Sequence, residues 1–220
     1  MTFQKKDFIE VEFTGKIKDG EVFDSNVKKN LEQLNPNENP KPFIFCLGEG
    51  MFLKGIDDFL IGKDVGNYTI ELAPENAFGP RVPQFVQMIP IKVFKENNLN
   101  PFPGAVFNFD GRIAKVLSVS SGRVMVDFNN PLAGKNVVYE INVLRKVDDS
   151  NEKIKSLLNF LFRRDFKFTV EGNKVIIEVE KSLVQFIEMF KEKFKDIIGL
   201  DLEIKEVEAK KLEDTPKEKQ

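Results

Sequence analysis

The chain has 220 residues, 41% of them apolar and 31% charged, with a formal net charge of −2. That size accommodates one to three domains with cores of their own, and the near-neutral balance excludes a dedicated phosphate-backbone binder, which carries a clear basic excess. The absence of histidine removes Ser-His-Asp and Cys-His catalysis, imidazole acid–base chemistry and most zinc sites together.

Two options survive: carboxylate chemistry, or catalysis by the shape and dryness of an apolar pocket. The 22 Phe against 2 Tyr and no Trp supply large apolar faces with few polar handles. No stretch approaches the roughly 20 apolar residues of a membrane span, and the opening MTFQKKDFIEVEF is not patterned as a secretory leader. Cys46 is the single cysteine, so no disulfide forms within the chain, and the expected location is the cytoplasm.

Residues 8–13 alternate Ile9, Val11 and Phe13 with Glu10 and Glu12, the pattern of a strand with one wet face. Thr14-Gly15 and Asp19-Gly20 read as turns, the second as a hairpin. EVFDSN follows, with Phe23 beside Asp24. Residues 28–42, KKNLEQLNPNENPKP, are polar and proline-broken and read as a long surface loop. Phe43, Phe45 and Leu47 alternate as a strand that Gly48 and Gly50 break. Residues 51–60 then read as a short helix, with Phe52, Leu53, Ile56, Phe59 and Leu60 along one side. Gly55 sits inside it at a cost of about 1 kcal/mol against Ala, which implies a close approach by another element. Asp57 and Asp58 read as surface charges of this helix, not an acid–base pair. Residues 68–72 alternate again, and ENAFG leads into a loop at Pro80 and Pro83. A bent sheet with the short helix across its concave face leaves an apolar cup.

After Pro83 the pattern changes. FVQMIP, AVFNFD, RIAKVLSV and RVMVDF are short apolar segments separated by Pro-Gly, Asp-Gly and Ser-Ser-Gly-Arg, a compact all-β unit. Met88, Ile89, Ile91, Val93 and Phe94 crowd around Pro90, either as a surface for promiscuous apolar binding or as the core that so small a unit needs. NVVYEINVLRKV alternates strongly and suits the main sheet. The first domain therefore reads as two segments, 1–83 and 129–148, with residues 84–128 inserted at a loop tip. Residues 149–212 read as helix, hairpin, helix and strand, a small α+β domain. Its second helix, SLVQFIEMFKEKFKDII, carries a stripe of Leu183, Phe186, Ile187, Phe190, Phe194 and Ile197 that serves as core or as a dimer face. Residues 213–220 form a charged tail.

With these residues in view, VEFTG, DGEVFDSN, PFIFCLGEGMFLKGIDDFLIG, ENAFGP and NPLAGK together resemble the FKBP-type peptidyl-prolyl isomerases, in the order of the SlyD-like branch. The resemblance covers about residues 1–147. It implies an α+β fold: a half-barrel antiparallel sheet with a short helix, an all-β insert-in-flap domain that holds unfolded chains, and a C-terminal α+β domain. That last domain is similar to the dimerising domain of long-chain archaeal members. Carried over by position, the resemblance makes Asp24, Phe23, Phe78 and Tyr139 the catalytic group. Phe13, Phe43, Phe52, Leu53 and Ile56 become the substrate-binding group, and Met88, Ile89, Ile91, Val93 and Phe94 the chaperone surface. Ile56 stands where relatives often carry Trp, Phe13 and Phe78 where Tyr is usual, and Asn130 where His is common. The histidine-rich tail of some relatives is absent, so no metal and no cofactor is expected. The implied function is peptidyl-prolyl cis-trans isomerisation coupled to chaperoning of unfolded clients and proline-containing peptides. Nucleic acid and membrane are not expected partners. The missing tyrosines leave an alternative, a holdase with weak or no isomerase turnover.

Overall fold

Alternating apolar residues build the main sheet. The computed structural model describes residues 2–207 of the chain. Strands β1 (Phe8–Ile17) and β2 (Val22–Ser25) are followed by α1 (Lys28–Leu34), β3 (Phe43–Cys46), α2 (Lys54–Leu60) and β4 (Gly66–Leu72). Next come β5 (Val86–Pro90), α3 (Ile91–Glu96), β6 (Val106–Phe109), β7 (Arg112–Ser120), β8 (Arg123–Asp127) and β9 (Val137–Lys146). The C-terminal part comprises α4 (Ser150–Phe162), β10 (Phe168–Glu171), β11 (Lys174–Glu180), α5 (Val184–Glu188), α6 (Lys191–Ile198) and β12 (Asp201–Val207). The architecture is α+β, with antiparallel sheets and several helices. The charged tail expected at 213–220 lies outside the described residues.

The main sheet runs β2-β1-β9-β4, and β3 also pairs with β1, all antiparallel. Val11, Phe13 and Gly15 of β1 share a face with Val143, Ile141 and Tyr139 of β9, their cross-strand partners, and with Tyr68, Ile70 and Leu72 of β4. Register shifts at Gly15/Lys16 against β2 and at Glu10/Val11 against β9 bend β1 as bulges do. That curvature makes the sheet concave. Thr14-Gly15 is thus not a turn: both residues continue β1, because Thr14 pairs with Ser25 and Glu140 on its two sides.

Helix α2 crosses the concave face, starting at Lys54 rather than at residue 51; Leu53 caps it in an extended conformation. Gly55 is where the helix meets the sheet. A Cβ there would run into the Leu72 side chain and stand 2.9 Å from the Asn76 carbonyl oxygen. Asp57 is not a surface charge but is 3% exposed. Its Oδ2 accepts from the Gly50 N–H at 3.3 Å, because the Gly48–Gly50 turn folds back over the helix. The loop expected over residues 28–42 contains α1, anchored by buried Leu31 and by Asn30, whose amide donates to the Thr14 hydroxyl.

A second sheet, β5-β8-β7-β6, encloses its own core of Phe94, Ala105, Ala114, Val116, Val124 and Val126. It is not all-β: α3 follows Pro90 directly and drives Phe94 into that core, where it meets Phe107 and Phe109 at 5.6 and 5.5 Å. At the stem, the Asn129 side chain accepts from Val82 N–H at 2.8 Å and donates to the Val82 carbonyl at 3.0 Å, while Arg81 pairs with Asp127.

The third sheet, β10-β11-β12, pairs β11 and β12 in parallel. The long helix expected before β12 is broken. A 3₁₀ turn, α5 and α6 replace it, with Met189 and Phe190 between the two helices. The break sets Phe186 and Phe190 5.3 Å apart, with Phe162 packed on both. Ile154, Leu157 and Leu158 of α4 join one continuous core with Phe8, Ile9 and Phe45 of the main sheet. The Ser156 hydroxyl donates to the Ile44 carbonyl on β3.

Candidate functional site

The concave face of the main sheet carries a connected set of rings. Tyr139 from β9 is 1% exposed, Phe13 of β1 lies 6.2 Å from it and is 7% exposed, and Ile56 of α2 is fully buried in the same core. Phe23 of β2 stands edge-on to Tyr139 at 5.8 Å and to Phe78 at 5.6 Å. Phe52, just before α2, reaches Tyr139 at 5.5 Å, Phe13 at 5.1 Å and Phe43 at 5.0 Å. Phe13 and Phe43 close the circuit at 5.5 Å. Phe23, Phe43, Phe52, Leu53 and Phe78 are half-buried, so the arrangement has a dry floor and partly open walls. Edge-to-face geometry recurs because the positive ring edge seeks the negative face of its neighbour.

The fold therefore brings together all eight apolar residues assigned to the pocket by position, although they come from six separate stretches of chain. Asp24 follows Phe23 and remains exposed at the rim. The bulk crowding behind it raises its carboxyl above the ordinary range by desolvation, a bond from the Ser25 N–H opposes that shift, and Glu38 adds to it. Burial raises the Tyr139 phenol, with the Asp24 charge contributing, so that side chain stays neutral. The Phe78 loop is held by Gly79, which adopts φ +78°, donates to the Pro74 carbonyl and accepts from Gly134 N–H.

Several residues that serve this cup escaped the sequence reading. Gly15 leaves space for the rings: a Cβ there would lie 2.9 Å from Tyr139 Cε1 and 3.0 Å from Phe23 Cζ. Its signal is the VEFTG motif, in which a Thr-Gly pair by itself reads as a turn. Ser25 and Asn26, in DGEVFDSN, reach back to the β1 backbone around Phe13. Asp57 ties the Gly48–Gly50 turn, which leads to Phe52, onto α2; burial pushes its carboxyl up to about 6, against the bonds from Gly50 and Gly48.

The apolar residues around Pro90 divide. Met88 and Val93 are 53% and 37% exposed, Ile89 and Ile91 are half-buried, and Phe94 is fully buried. Phe94 is core, not surface, because α3 turns it inward. Met88 and Met125, paired across β5 and β8, line a cavity of about 310 Å³ with Ser118, Ser120, Ser121 and Arg123. Phe102, Val106 and Ile113 are also exposed on this unit, at 58%, 59% and 63%.

A family model described as the FKBP26 IF domain matches residues 87–132. The FKBP-type 16 kDa peptidyl-prolyl cis-trans isomerase of Escherichia coli is 31% identical over 147 residues, 64% of this chain and 91% of that protein. The short-type peptidyl-prolyl cis-trans isomerase of Methanocaldococcus jannaschii is 29% identical over 144 residues, 64% of this chain and 91% of that protein. The FKBP-type peptidyl-prolyl cis-trans isomerase SlyD of Helicobacter pylori is 28% identical over 139 residues, 61% of this chain and 69% of that protein.

Proposed function

The chain belongs to the FKBP-type peptidyl-prolyl cis-trans isomerases, and we propose from that premise that it rotates X–Pro bonds in the cup around Tyr139. The observation that carries this reading is the ring circuit of Phe13, Phe23, Phe43, Phe52, Phe78 and Tyr139, with half-buried walls and Tyr139 almost wholly buried. An X–Pro bond rotates slowly because twisting breaks amide resonance, a barrier of about 18–20 kcal/mol. The planar amide is strongly polar and well solvated, and the twisted form less so. Apolar walls that grip the proline ring and strip its water favour the twisted form over the planar one. Asp24, at the rim beside Phe23, acts on the twisted amide electrostatically or serves to orient the pocket, and Asp24→Ala should lower turnover of a prolyl peptide in either case. No nucleophile and no proton shuttle is needed, in keeping with a chain that has no histidine.

The chain is further proposed to hold unfolded clients on residues 84–128, a unit inserted between the segments 1–83 and 129–148. Exposed Met88, Phe102, Val106 and Ile113 on one small sheet unit support this. Substoichiometric amounts of the chain will accelerate proline-limited refolding of a model protein. Deleting residues 84–128 will remove most of that acceleration and leave turnover of short peptides intact. An equal loss on both substrates would end the separate holding role. No acceleration at all, with aggregation suppressed only at stoichiometric amounts, would favour the holdase alternative that the absent hydroxyls of Phe13 and Phe78 already raise.

Residues 149–212 are proposed to form the C-terminal α+β unit and to pair two chains. Support comes from Phe186 and Met189, exposed at 48% and 78% beside the rings of Phe162 and Phe190. Sedimentation should give a dimer for the wild type and a monomer for Phe186→Glu with Met189→Glu. A wild-type monomer would remove this proposal.

A further inference from the structure

We infer that Asn26 is a positioning residue of the isomerase cup, acting through the backbone of Phe13; the inference rests on the cup being the site of turnover. Strand β1 is paired along one side with β9 from Ile9 to Ile17. Its other side is shared. Strand β3 takes Phe8 to Val11 and β2 takes Thr14 to Lys16, so Glu12 and Phe13 face a gap in the sheet. That gap falls at the residue whose ring touches Phe43, Phe52 and Tyr139.

The Asn26 carboxamide fills it as a strand would. Its Oδ1 accepts from the Phe13 N–H at 2.7 Å, and its Nδ2 donates to the Val11 carbonyl at 2.9 Å and to the Lys41 carbonyl at 3.2 Å. The Phe13 carbonyl is met by the Asn26 N–H at 3.2 Å and by the Ser25 hydroxyl at 2.9 Å. An amide side chain has one acceptor oxygen and two donor hydrogens, and all three groups are engaged. A carboxylate of the same shape has only acceptors and would face two carbonyl oxygens without a donor. An alanine would leave the Phe13 N–H, the Val11 carbonyl and the Lys41 carbonyl short of these partners, which in a half-buried place carries a desolvation cost. The bond to Lys41 also ties the segment entering β3, where Phe43 stands. One side chain thereby sets the positions of two walls of the cup, Phe13 and Phe43, without touching the substrate.

The test uses the full-length chain, a prolyl peptide substrate and amide hydrogen exchange. Asn26→Ala and the isosteric Asn26→Asp are each expected to lower kcat/KM about tenfold at a temperature where far-UV circular dichroism shows them fully folded. Exchange at the Phe13 amide should accelerate at least tenfold in Asn26→Ala, which removes its acceptor. A merely structural role predicts a lowered unfolding midpoint with unchanged activity of the folded protein, and that result would overturn the proposal. In the wild type the Phe13 amide should be protected like the strand amides of β1 bonded to β9. Free exchange there would overturn the proposal even if neither variant folds. An inactive wild type would instead overturn the isomerase reading on which it rests.

Discussion

Phe23→Ala and Phe78→Ala will each lower kcat/KM for a prolyl peptide by about thirtyfold, while shifting the unfolding free energy much less than a core substitution. Both rings are half-buried walls, 5.6 Å apart, and Phe23 also meets Tyr139 at 5.8 Å. Truncating a fully buried Phe costs about 3–5 kcal/mol of stability; these two keep part of their surface in water, so the cost falls below that range. Their larger contribution is to the bound twisted amide. A ring face that buries part of a proline is worth about 2 kcal/mol at roughly 25 cal/mol per Å², and 1.36 kcal/mol is tenfold in rate. The double variant should lose less than the product of the two single losses, because either truncation opens the same wall to water. Peptide turnover under single-turnover and steady-state conditions measures this. Unchanged turnover in both single variants, with an active wild type, would remove the ring circuit from the mechanism.

The second large effect concerns pH and stability, and it centres on Asp57. This carboxyl is 3% exposed, and its Oδ2 accepts from the Gly50 N–H at 3.3 Å. Burial raises it from 3.8 to about 6. The folded chain thus holds this proton more tightly than the unfolded chain does, and folding takes up a proton between those two values. Its penalty is absent below the unfolded value, grows as the pH rises, and is complete above about 6. Asp57→Asn keeps an acceptor for Gly50 but cannot ionise. The variant should therefore gain stability relative to wild type as the pH rises from 5 to 8, by about 1 kcal/mol over that interval, with about 3 kcal/mol as the full span down to the unfolded value. Urea unfolding of both proteins at pH 5 and pH 8 measures the change in their difference. Comparison with the variant is necessary because Asp7 moves the opposite way: burial alone would raise it, but Lys146 and Gln4 hold it below the usual carboxylate range. A difference that stays constant with pH would show that Asp57 does not titrate in this window.

Asp57 also shows how a local reading goes astray. Two adjacent carboxylates on a short amphipathic helix look like solvated surface, and Asp58 is exposed. Nothing within one helical turn reveals that Gly48 and Gly50 fold back over Asp57 and take it out of water. Phe94 is a similar case. Around Pro90 the apolar residues read equally as a binding surface or as core, and the structure divides them: α3 begins at Ile91 and rotates Phe94 to the interior while Met88 stays at the surface. Helix α1 was hidden because one buried residue, Leu31, suffices to dock seven residues when Asn30 bonds Thr14 across the sheet.

The amino-acid sequence by itself determined the first half of β1, strands β3, β4 and β9, the short helix of the cup, the change of pattern after Pro83 and the apolar character of the site. These follow from alternation, helical spacing and turn residues, all local properties of the chain. The family motifs determined which rings belong together. Only the tertiary structure decided how they are held. Gly15 makes room for Tyr139 and Phe23, Asn26 fills the gap between β2 and β3, and α4 packs its apolar face on the strand that carries Phe43. Each of these depends on residues far apart in the chain meeting at a few ångströms, and packing and hydrogen-bond satisfaction at such distances leave no period in the sequence to read.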